Sequence, residues 1–205
     1  MNWLSTIFKN KTVKDEIPMN KFLVVGLGNI GVEYVNTRHN IGFKILNYFA
    51  NKENITFQSA KFGDVTQFKI KGRTIILLKP NTYMNLSGKA IQYWMVQLKI
   101  PIENTLIVVD DLALPFGKLR IKPKGSSAGH NGLKNIESVL GNDLYPRLKF
   151  GIGNDFAKGR QIDYVLGQFD KNDFAELPIK LDKAIDMILS YSTLGIERTM
   201  NFLND

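Results

Sequence analysis

Two histidines provide the only imidazole groups in this 205-residue sequence, and both lie among polar residues and glycines. His39 lies in Thr-Arg-His-Asn-Ile-Gly at residues 37–42, and His130 lies in Gly-His-Asn-Gly at residues 129–132. A neutral imidazole takes up a proton near neutral pH, so either residue is a candidate general base. A single histidine is more often structural or solvated, so other polar groups have to decide between these roles.

Three polar side chains follow apolar runs that have the composition of strands: Asn29, Asn85 and Asp110. In an open α/β sheet, residues just beyond the carboxyl ends of the strands gather in one crevice. A carboxylate next to a histidine fixes the tautomer of the ring and stabilises its protonated form, and amides can hold a carbonyl or a developing oxyanion. These residue types predict acid–base chemistry at that crevice.

A Gly-x-Gly-x-x-Gly frame at residues 26–31 raises the question of a dinucleotide site. That fingerprint needs a helix that begins at the third glycine and an acid about 20 residues further on. Residues 32–40 have no helical apolar period, and Glu53 lies in a polar Asn-Lys-Glu-Asn segment. We therefore interpret the glycines as turn residues that bring Asn29 into the crevice.

A second motif, Gly-Ser-Ser-Ala-Gly at residues 125–129, matches the Gly-x-Ser-x-Gly of a nucleophile elbow. Hydrolases with that elbow carry an acid and then a histidine after the serine along the chain. Only His130 follows Ser127, and it comes three residues later. We interpret the segment as a small-residue loop that leads into a helix.

The composition excludes several classes of site. The chain has no cysteine, so a disulfide, a thiolate zinc site and a cysteine nucleophile are all impossible. The apolar runs are too short to span a bilayer, and we expect an unprocessed cytoplasmic protein without membrane contact. We expect residues 1–18 to be a disordered or helical N-terminal extension, with either Met1 or Met19 as the true start.

The net charge of +8 favours a polyanionic partner. Lys118, Arg120, Lys122 and Lys124 alternate with uncharged residues, and no acid occurs between residues 118 and 134. On a strand this alternation places the basic side chains on one face. A solvated strand face is the alternative, and the absence of nearby acids favours a phosphate-binding surface.

Strand and helix patterns alternate along the chain and predict an α/β fold. We predict a single domain at residues 19–205 with a mixed, largely parallel central sheet flanked by helices. Strands are predicted at 21–26, 62–70, 73–79, 104–110, 117–122 and 147–152, and helices at 41–52, 88–99, 131–140, 172–191 and 193–203.

Five motifs occur in one collinear order from about residue 20 to the C-terminus. They are Gly26-Leu27-Gly28-Asn29 with Tyr34 and Thr37-Arg38-His39-Asn40, then Tyr83-Met84-Asn85-Leu86-Ser87-Gly88, Asp110-Asp111-Leu112, Gly129-His130-Asn131-Gly132-Leu133-Lys134 and Arg147-Leu148-Lys149-Phe150-Gly151-Ile152-Gly153. Together they resemble the bacterial peptidyl-tRNA hydrolases. The resemblance implies an esterase, without cofactor or metal, that cleaves the ester between a peptide and the 3′ ribose of tRNA.

The resemblance also implies roles for individual residues. His39 matches the general base that activates water, Asp110 the acid that orients it, and Asn29 and Asn85 the amides that place the ester and the water. The matching substrate-binding positions are Asn131 near the ribose, His130 and Met84 in the peptide-side cleft, Tyr34 at the tRNA 3′ end, Tyr83 beside Met84, and Lys122 and Lys149 at the 5′ phosphate. Lys149 stands where the family commonly has arginine, which keeps the charge but loses bidentate geometry.

We therefore expect a monomer that binds peptidyl-tRNA through its acceptor stem, 3′ end and 5′ phosphate. Three other hypotheses stay open. The fold could be an RNA-binding module without hydrolysis, or a Rossmann oxidoreductase that binds NAD(P). His39, His130 and Asp110 could instead form a two-histidine, one-carboxylate metal site.

Overall fold

A seven-stranded mixed sheet forms the centre of the protein in this computed structural model, which describes residues 20–204. The strands are β1 (Lys21–Gly26), β2 (Gln58–Ala60), β3 (Gly63–Ile70), β4 (Arg73–Pro80), β5 (Thr105–Asp111), β6 (Leu119–Lys122) and β7 (Arg147–Gly151). The predicted extension at residues 1–18 lies outside the described residues.

The strand order is β2-β3-β4-β1-β5-β7-β6. The four central strands, β4, β1, β5 and β7, pair in parallel, whereas the pairings β2–β3, β3–β4 and β6–β7 are antiparallel. The predicted α/β fold with a mixed central sheet is confirmed, and its parallel part is the four-strand centre. Strands β4 and β5 lie on either side of β1, so the carboxyl ends that carry the candidate residues are adjacent.

Helices cover both faces of the sheet. They are α1 (Ile41–Lys52), α2 (Ser87–Leu98), α3 (Asn131–Leu140), α4 (Gln161–Val165), α5 (Lys171–Leu194) and α6 (Ile196–Leu203), with short 3-10 helices at Val32–Tyr34, Arg38–Asn40, Met84–Leu86 and Ile102–Asn104. None of the helices within residues 20–204 is both long enough and apolar enough to cross a membrane.

The predicted strands and helices are found with small shifts of their ends, and within residues 20–204 strand β2, helix α4 and the short 3-10 helices were missed. Strand β2 is three residues long and carries only polar or small side chains, so it lacks an apolar pattern. Helix α4 is five residues long and has no buried residue. Elements this short depend on contacts with the rest of the fold more than on their own sequence.

Alternate residues of β1 face two separate apolar layers. Phe22 and Val24 pack with side chains of α1 and α5, and Leu23 and Val25 pack with side chains of α2 and α3. Both faces of the central strands are therefore buried, which explains their nearly continuous apolar sequence.

Two glycines bring the start of α1 against the end of β1. A Cβ atom at Gly42, in the first turn of α1, would overlap the backbone of Leu27 and of Val108, and a Cβ atom at Gly26 would overlap the carbonyl of Gly42. Leu27 N also donates to Val108 O at 2.9 Å. This close contact fixes the segment before α1, which carries His39, next to the end of β5.

We expect Gly42→Ala to lower the free energy of unfolding by about 1–3 kcal/mol, because the added methyl group overpacks this contact. Alanine otherwise favours a helix, so helix propensity alone predicts the opposite sign. Urea denaturation measures the change, with Asn47→Ala on the exposed face of α1 as the control, expected within about 0.5 kcal/mol of wild type. Equal stability of Gly42→Ala and wild type would contradict the argument.

Candidate active site

The candidate site lies at the carboxyl ends of β1, β4 and β5. Asn29 follows β1, Asn85 lies in the 3-10 helix after β4, and Asp110 is the penultimate residue of β5. His39 lies in the 3-10 helix that precedes α1, and His130 is the N-cap residue of α3. Five separate segments of the chain thus meet at one edge of the sheet.

Both histidines bind the same carboxylate. His39 Nδ1 lies 2.9 Å from Asp110 Oδ1 and 3.1 Å from Oδ2. His130 Nε2 lies 3.0 Å from Asp110 Oδ1. The centroids of the two rings are 4.8 Å apart, and only 5% of Asp110 is exposed. The carboxylate is therefore compensated by hydrogen bonds from two rings.

The hydrogen bonds assign the tautomers of both rings. A carboxylate only accepts hydrogen bonds, so Nδ1–H of His39 and Nε2–H of His130 both donate to Asp110. The remaining nitrogen of His130, Nδ1, accepts from Leu133 N at 3.3 Å. Within residues 20–204, His39 Nε2 has no protein partner, and it is the ring nitrogen that is available to take a proton.

The charges at this cluster reinforce one another. Burial lowers the pKa of His39, but the charge of Asp110 and its hydrogen bond outweigh burial and raise the pKa above the ordinary 6.5. Burial would likewise raise the pKa of Asp110, but the charges of His130 and His39 and their hydrogen bonds hold it well below its usual range. Asp110 is thus ionised wherever His39 titrates.

The side chain of Asn29 is held in one orientation. Its Oδ1 accepts from Met84 N at 2.8 Å. Its backbone is clamped by Asn40, which accepts from Asn29 N at 2.8 Å and donates to Asn29 O at 2.9 Å. Within residues 20–204 no acceptor is bonded to Asn29 Nδ2, so its two hydrogens remain as donors. Asn40 was missed as a positioning residue, although it directly follows His39 in sequence.

A cavity brings together a subset of the predicted site residues. His39, Asp110, His130, Asn131 and Lys149 line it, together with Ser127 and with Gln161 and Ile162 of α4. Asn29 lines a neighbouring hollow with Asn40. The remaining predicted residues do not line the cavity: Met84 is buried, Tyr34 is half-buried, and Tyr83, Asn85 and Lys122 are exposed.

Ser127 is not arranged as a nucleophile. Its backbone carbonyl accepts from His130 N at 2.9 Å, and both ring nitrogens of His130 bond to other groups. His130 therefore cannot activate the serine hydroxyl in this arrangement. The interpretation of residues 125–129 as a loop leading into a helix agrees with this geometry.

The basic residues of β6 and β7 share one face of the sheet. Arg120 lies opposite Lys149, and Lys122 lies opposite Arg147. The residues that alternate with them are buried on the opposite face, as the alternating sequence predicts; they are Leu119, Ile121, Leu148 and Phe150. Lys122 and Lys149 are thus diagonal neighbours, and diagonal pairs in antiparallel strands are about 7–8 Å apart.

Arg147 is a structural member of this group. It is fully buried and donates to Ser126 O at 3.1 Å and to Asp143 O at 3.0 Å, and its guanidinium lies 4.2 Å from the Tyr145 ring centroid. It therefore ties the loop before α3, and with it His130, to strand β7.

The chain is similar in sequence to known proteins over most of its length. The sequence profile of the family described as peptidyl-tRNA hydrolase matches residues 23–205. The chain is 53% identical to the peptidyl-tRNA hydrolase of Cytophaga hutchinsonii over 184 residues, 90% of this chain and 98% of the relative. It is 54% identical to that of Porphyromonas gingivalis, again over 184 residues, 90% of this chain and all of the relative.

The fold is also similar to a solved structure. The crystal structure of peptidyl-tRNA hydrolase from Acinetobacter baumannii superposes with a TM-score of 0.84 at 34% sequence identity, covering 91% of this chain and 95% of that one. The profile match extends over most of the chain and the relatives match almost throughout their own length. The chain belongs to the peptidyl-tRNA hydrolase family.

Proposed function

We propose that the chain hydrolyses the ester between the peptide and the 3′ ribose of peptidyl-tRNA, with His39 as the general base and without a cofactor. Membership of the family supports the reaction. The observation that carries the mechanism is the hydrogen bond between Asp110 and His39 Nδ1 beside a cavity, since it leaves Nε2 of His39 without a partner among the residues that the structure describes.

The reaction requires two proton transfers, and His39 can perform both. Nε2 takes a proton from water as the water oxygen attacks the ester carbonyl carbon and forms a tetrahedral intermediate. The carbon–oxygen bond to the ribose then breaks, and the imidazolium gives the proton to the 3′ oxygen of the tRNA. Asp110 stabilises the imidazolium between these steps.

Asparagine amides supply donors for the oxyanion. Asn29 Oδ1 accepts a hydrogen bond from Met84 N, and this bond orients the amide so that its Nδ2 group is a candidate donor to the oxyanion. Asn85 and Asn131 are exposed near the starts of α2 and α3. We assign Asn29 and Asn85 to the ester carbonyl and water, and Asn131 to the ribose end. One well-placed donor of this kind is worth about 3–4 kcal/mol in the transition state.

The remaining assignments concern the two parts of the substrate. Met84 and His130 border the peptide side, and His130 also supports Asp110. Tyr34 and Tyr83 offer aromatic rings to the unpaired 3′ end, where stacking on a base is the usual mode of recognition. Lys122 and Lys149 bind the 5′ phosphate at the acceptor stem. That the protein is a monomer and acts in the cytoplasm stays a prediction.

A metal-dependent hydrolase is the second candidate, because the ligand atoms of His39, Asp110 and His130 lie within 4.8 Å of one another. A divalent ion would replace the two protons that now bridge the rings to the carboxylate. The hydrogen bonds already account for the position of each of these atoms, so we favour the proton-based mechanism. Activity that a chelator abolishes and a metal restores would favour the alternative.

We expect His39→Ala to lower kcat by about 10²–10⁴-fold with substrate binding retained, because it removes the general base. Turnover of purified peptidyl-tRNA measures kcat, and filter binding measures affinity. His130→Asn is the matched imidazole control, with a smaller loss expected because both nitrogens of His130 are engaged in holding other groups. Robust cleavage by His39→Ala would contradict the proposed mechanism.

We expect kcat/KM to fall as the pH drops through the raised pKa of His39, since only the neutral ring accepts a proton. The midpoint should therefore lie above 6.5. Asp110→Asn removes the charge that raises this pKa, so the acid limb of the profile should move to lower pH while the maximal rate falls. An acid limb that stays in place in Asp110→Asn would show that another group titrates.

We expect Lys122→Ala and Lys149→Ala each to weaken binding of a 5′-phosphorylated acceptor-stem RNA. Each should also reduce the slope of log K against log salt by about 1, because one fewer counterion is released. Fluorescence anisotropy over a salt series measures both quantities. Lys52→Ala on α1, where the lysine pairs with Asp182, is the control and should change neither.

A further inference from the structure

Lys149 has an acidic partner that directly follows Asp110 in sequence. Lys149 Nζ lies 2.8 Å from Asp111 Oδ2, and the two side chains are only 16% and 12% exposed. Both residues line the cavity that contains His39 and Asp110. The lysine assigned to the 5′ phosphate is therefore neutralised by a carboxylate inside the site.

Asp111 is held rigidly in this position. Its second oxygen, Oδ1, accepts from Ala113 N at 2.7 Å. Strand register places Val109 opposite Lys149 and Asp111 opposite Gly151, so Asp111 lies diagonally across from Lys149 on the same face of the sheet. The ion pair is thus fixed by the β5–β7 ladder and a turn, and does not depend on a mobile loop.

Arg120 and Lys122, the two cations of β6 on this face, differ from Lys149. Arg120 lies opposite Lys149 in the ladder, and Lys122 is exposed at the end of β6. In the part of the chain that the structure describes, neither forms an ion pair with an acid. Two cations are therefore open to any phosphate of an RNA backbone, whereas Lys149 is open only to an anion that competes with Asp111.

We infer that Asp111 is a specificity-determining residue, which restricts Lys149 to the doubly charged 5′-terminal phosphate and disfavours the singly charged phosphodiesters of the RNA backbone. The inference rests on the proposed binding of the 5′ phosphate by Lys149. It extends that proposal by assigning a role to an acid that lies inside a phosphate-binding surface.

The physical reason is a competition between charges. A phosphodiester carries one negative charge, as Asp111 does. Its attraction to Lys149 is therefore largely offset by its repulsion from the carboxylate of Asp111. A terminal phosphate has a second pKa of about 6 and carries nearly two charges at neutral pH, which roughly doubles its attraction to the ammonium. Only the terminal phosphate therefore competes well for Lys149.

The test compares two acceptor-stem duplexes with a single-stranded CCA end, one with a 5′ phosphate and one with a 5′ hydroxyl. The measured quantity is the dissociation constant of the 5′-hydroxyl RNA divided by that of the 5′-phosphate RNA, obtained by fluorescence anisotropy at fixed salt. We expect Asp111→Asn to lower this ratio by about 3–10-fold, chiefly through tighter binding of the 5′-hydroxyl RNA. The affinity for the 5′-hydroxyl RNA should also depend more steeply on salt concentration.

Two controls separate this effect from others. Asp182→Asn, on α5, removes the same charge from an exposed pair with Lys52 and should leave the ratio unchanged. The amide introduced by Asp111→Asn keeps an oxygen that can accept from Ala113 N, which preserves the turn. In a Lys149→Met background, Asp111→Asn should no longer change the ratio, because its partner is gone.

The possible outcomes are distinct. A wild-type ratio above one that Asp111→Asn leaves unchanged overturns this inference and keeps the 5′-phosphate site. A wild-type ratio of one overturns both, since neither lysine then recognises the terminal phosphate. A fall in the ratio that persists in the Lys149→Met background shows that Asp111 does not act through Lys149, and this also overturns the inference.

Discussion

The candidate active site is organised around one buried carboxylate, Asp110, which accepts hydrogen bonds from the N–H groups of two imidazole rings. An ionised carboxylate costs several kcal/mol to bury unless it is paired and hydrogen-bonded. His39 and His130 supply that compensation from two segments that are distant in sequence. The same two hydrogen bonds set the tautomers of both rings. They therefore stabilise the buried charge of Asp110 and also leave His39 Nε2 unprotonated as the proposed base.

This arrangement requires close packing of the surrounding backbone. The 3-10 helix that carries His39 leads directly into α1, and it can reach the end of β5 only because Gly26 and Gly42 allow the backbones to touch. On the other side, buried Arg147 donates to the carbonyl of Ser126 in the loop before α3 and to the carbonyl of Asp143 in the loop after it. The glycine frame that first suggested a dinucleotide site thus has a packing role, and it places Asn29 where Met84 N orients its amide.

The charge distribution divides the crevice into two parts. The carboxylate of Asp110 faces two rings, and the neighbouring carboxylate, Asp111, faces a lysine. Consecutive residues of a strand point to opposite faces of the sheet, so a single Asp-Asp pair serves both parts. The proposed chemistry of the ester and the proposed recognition of the RNA end are therefore linked through one short segment of β5.

The sequence by itself determined the α/β class and the main strands and helices, because apolar periodicity is a local signal. The sequence also marked His39, Asp110 and Asn29 by residue type or by position after a strand, and it marked Lys149 only through the resemblance of its motif to the family. It did not reveal that His130 shares Asp110, that Asn40 clamps Asn29, or that Asp111 neutralises Lys149. The short elements β2 and α4 were missed for a similar reason. Those features depend on strand register and on contacts between distant segments, which only the tertiary structure decides.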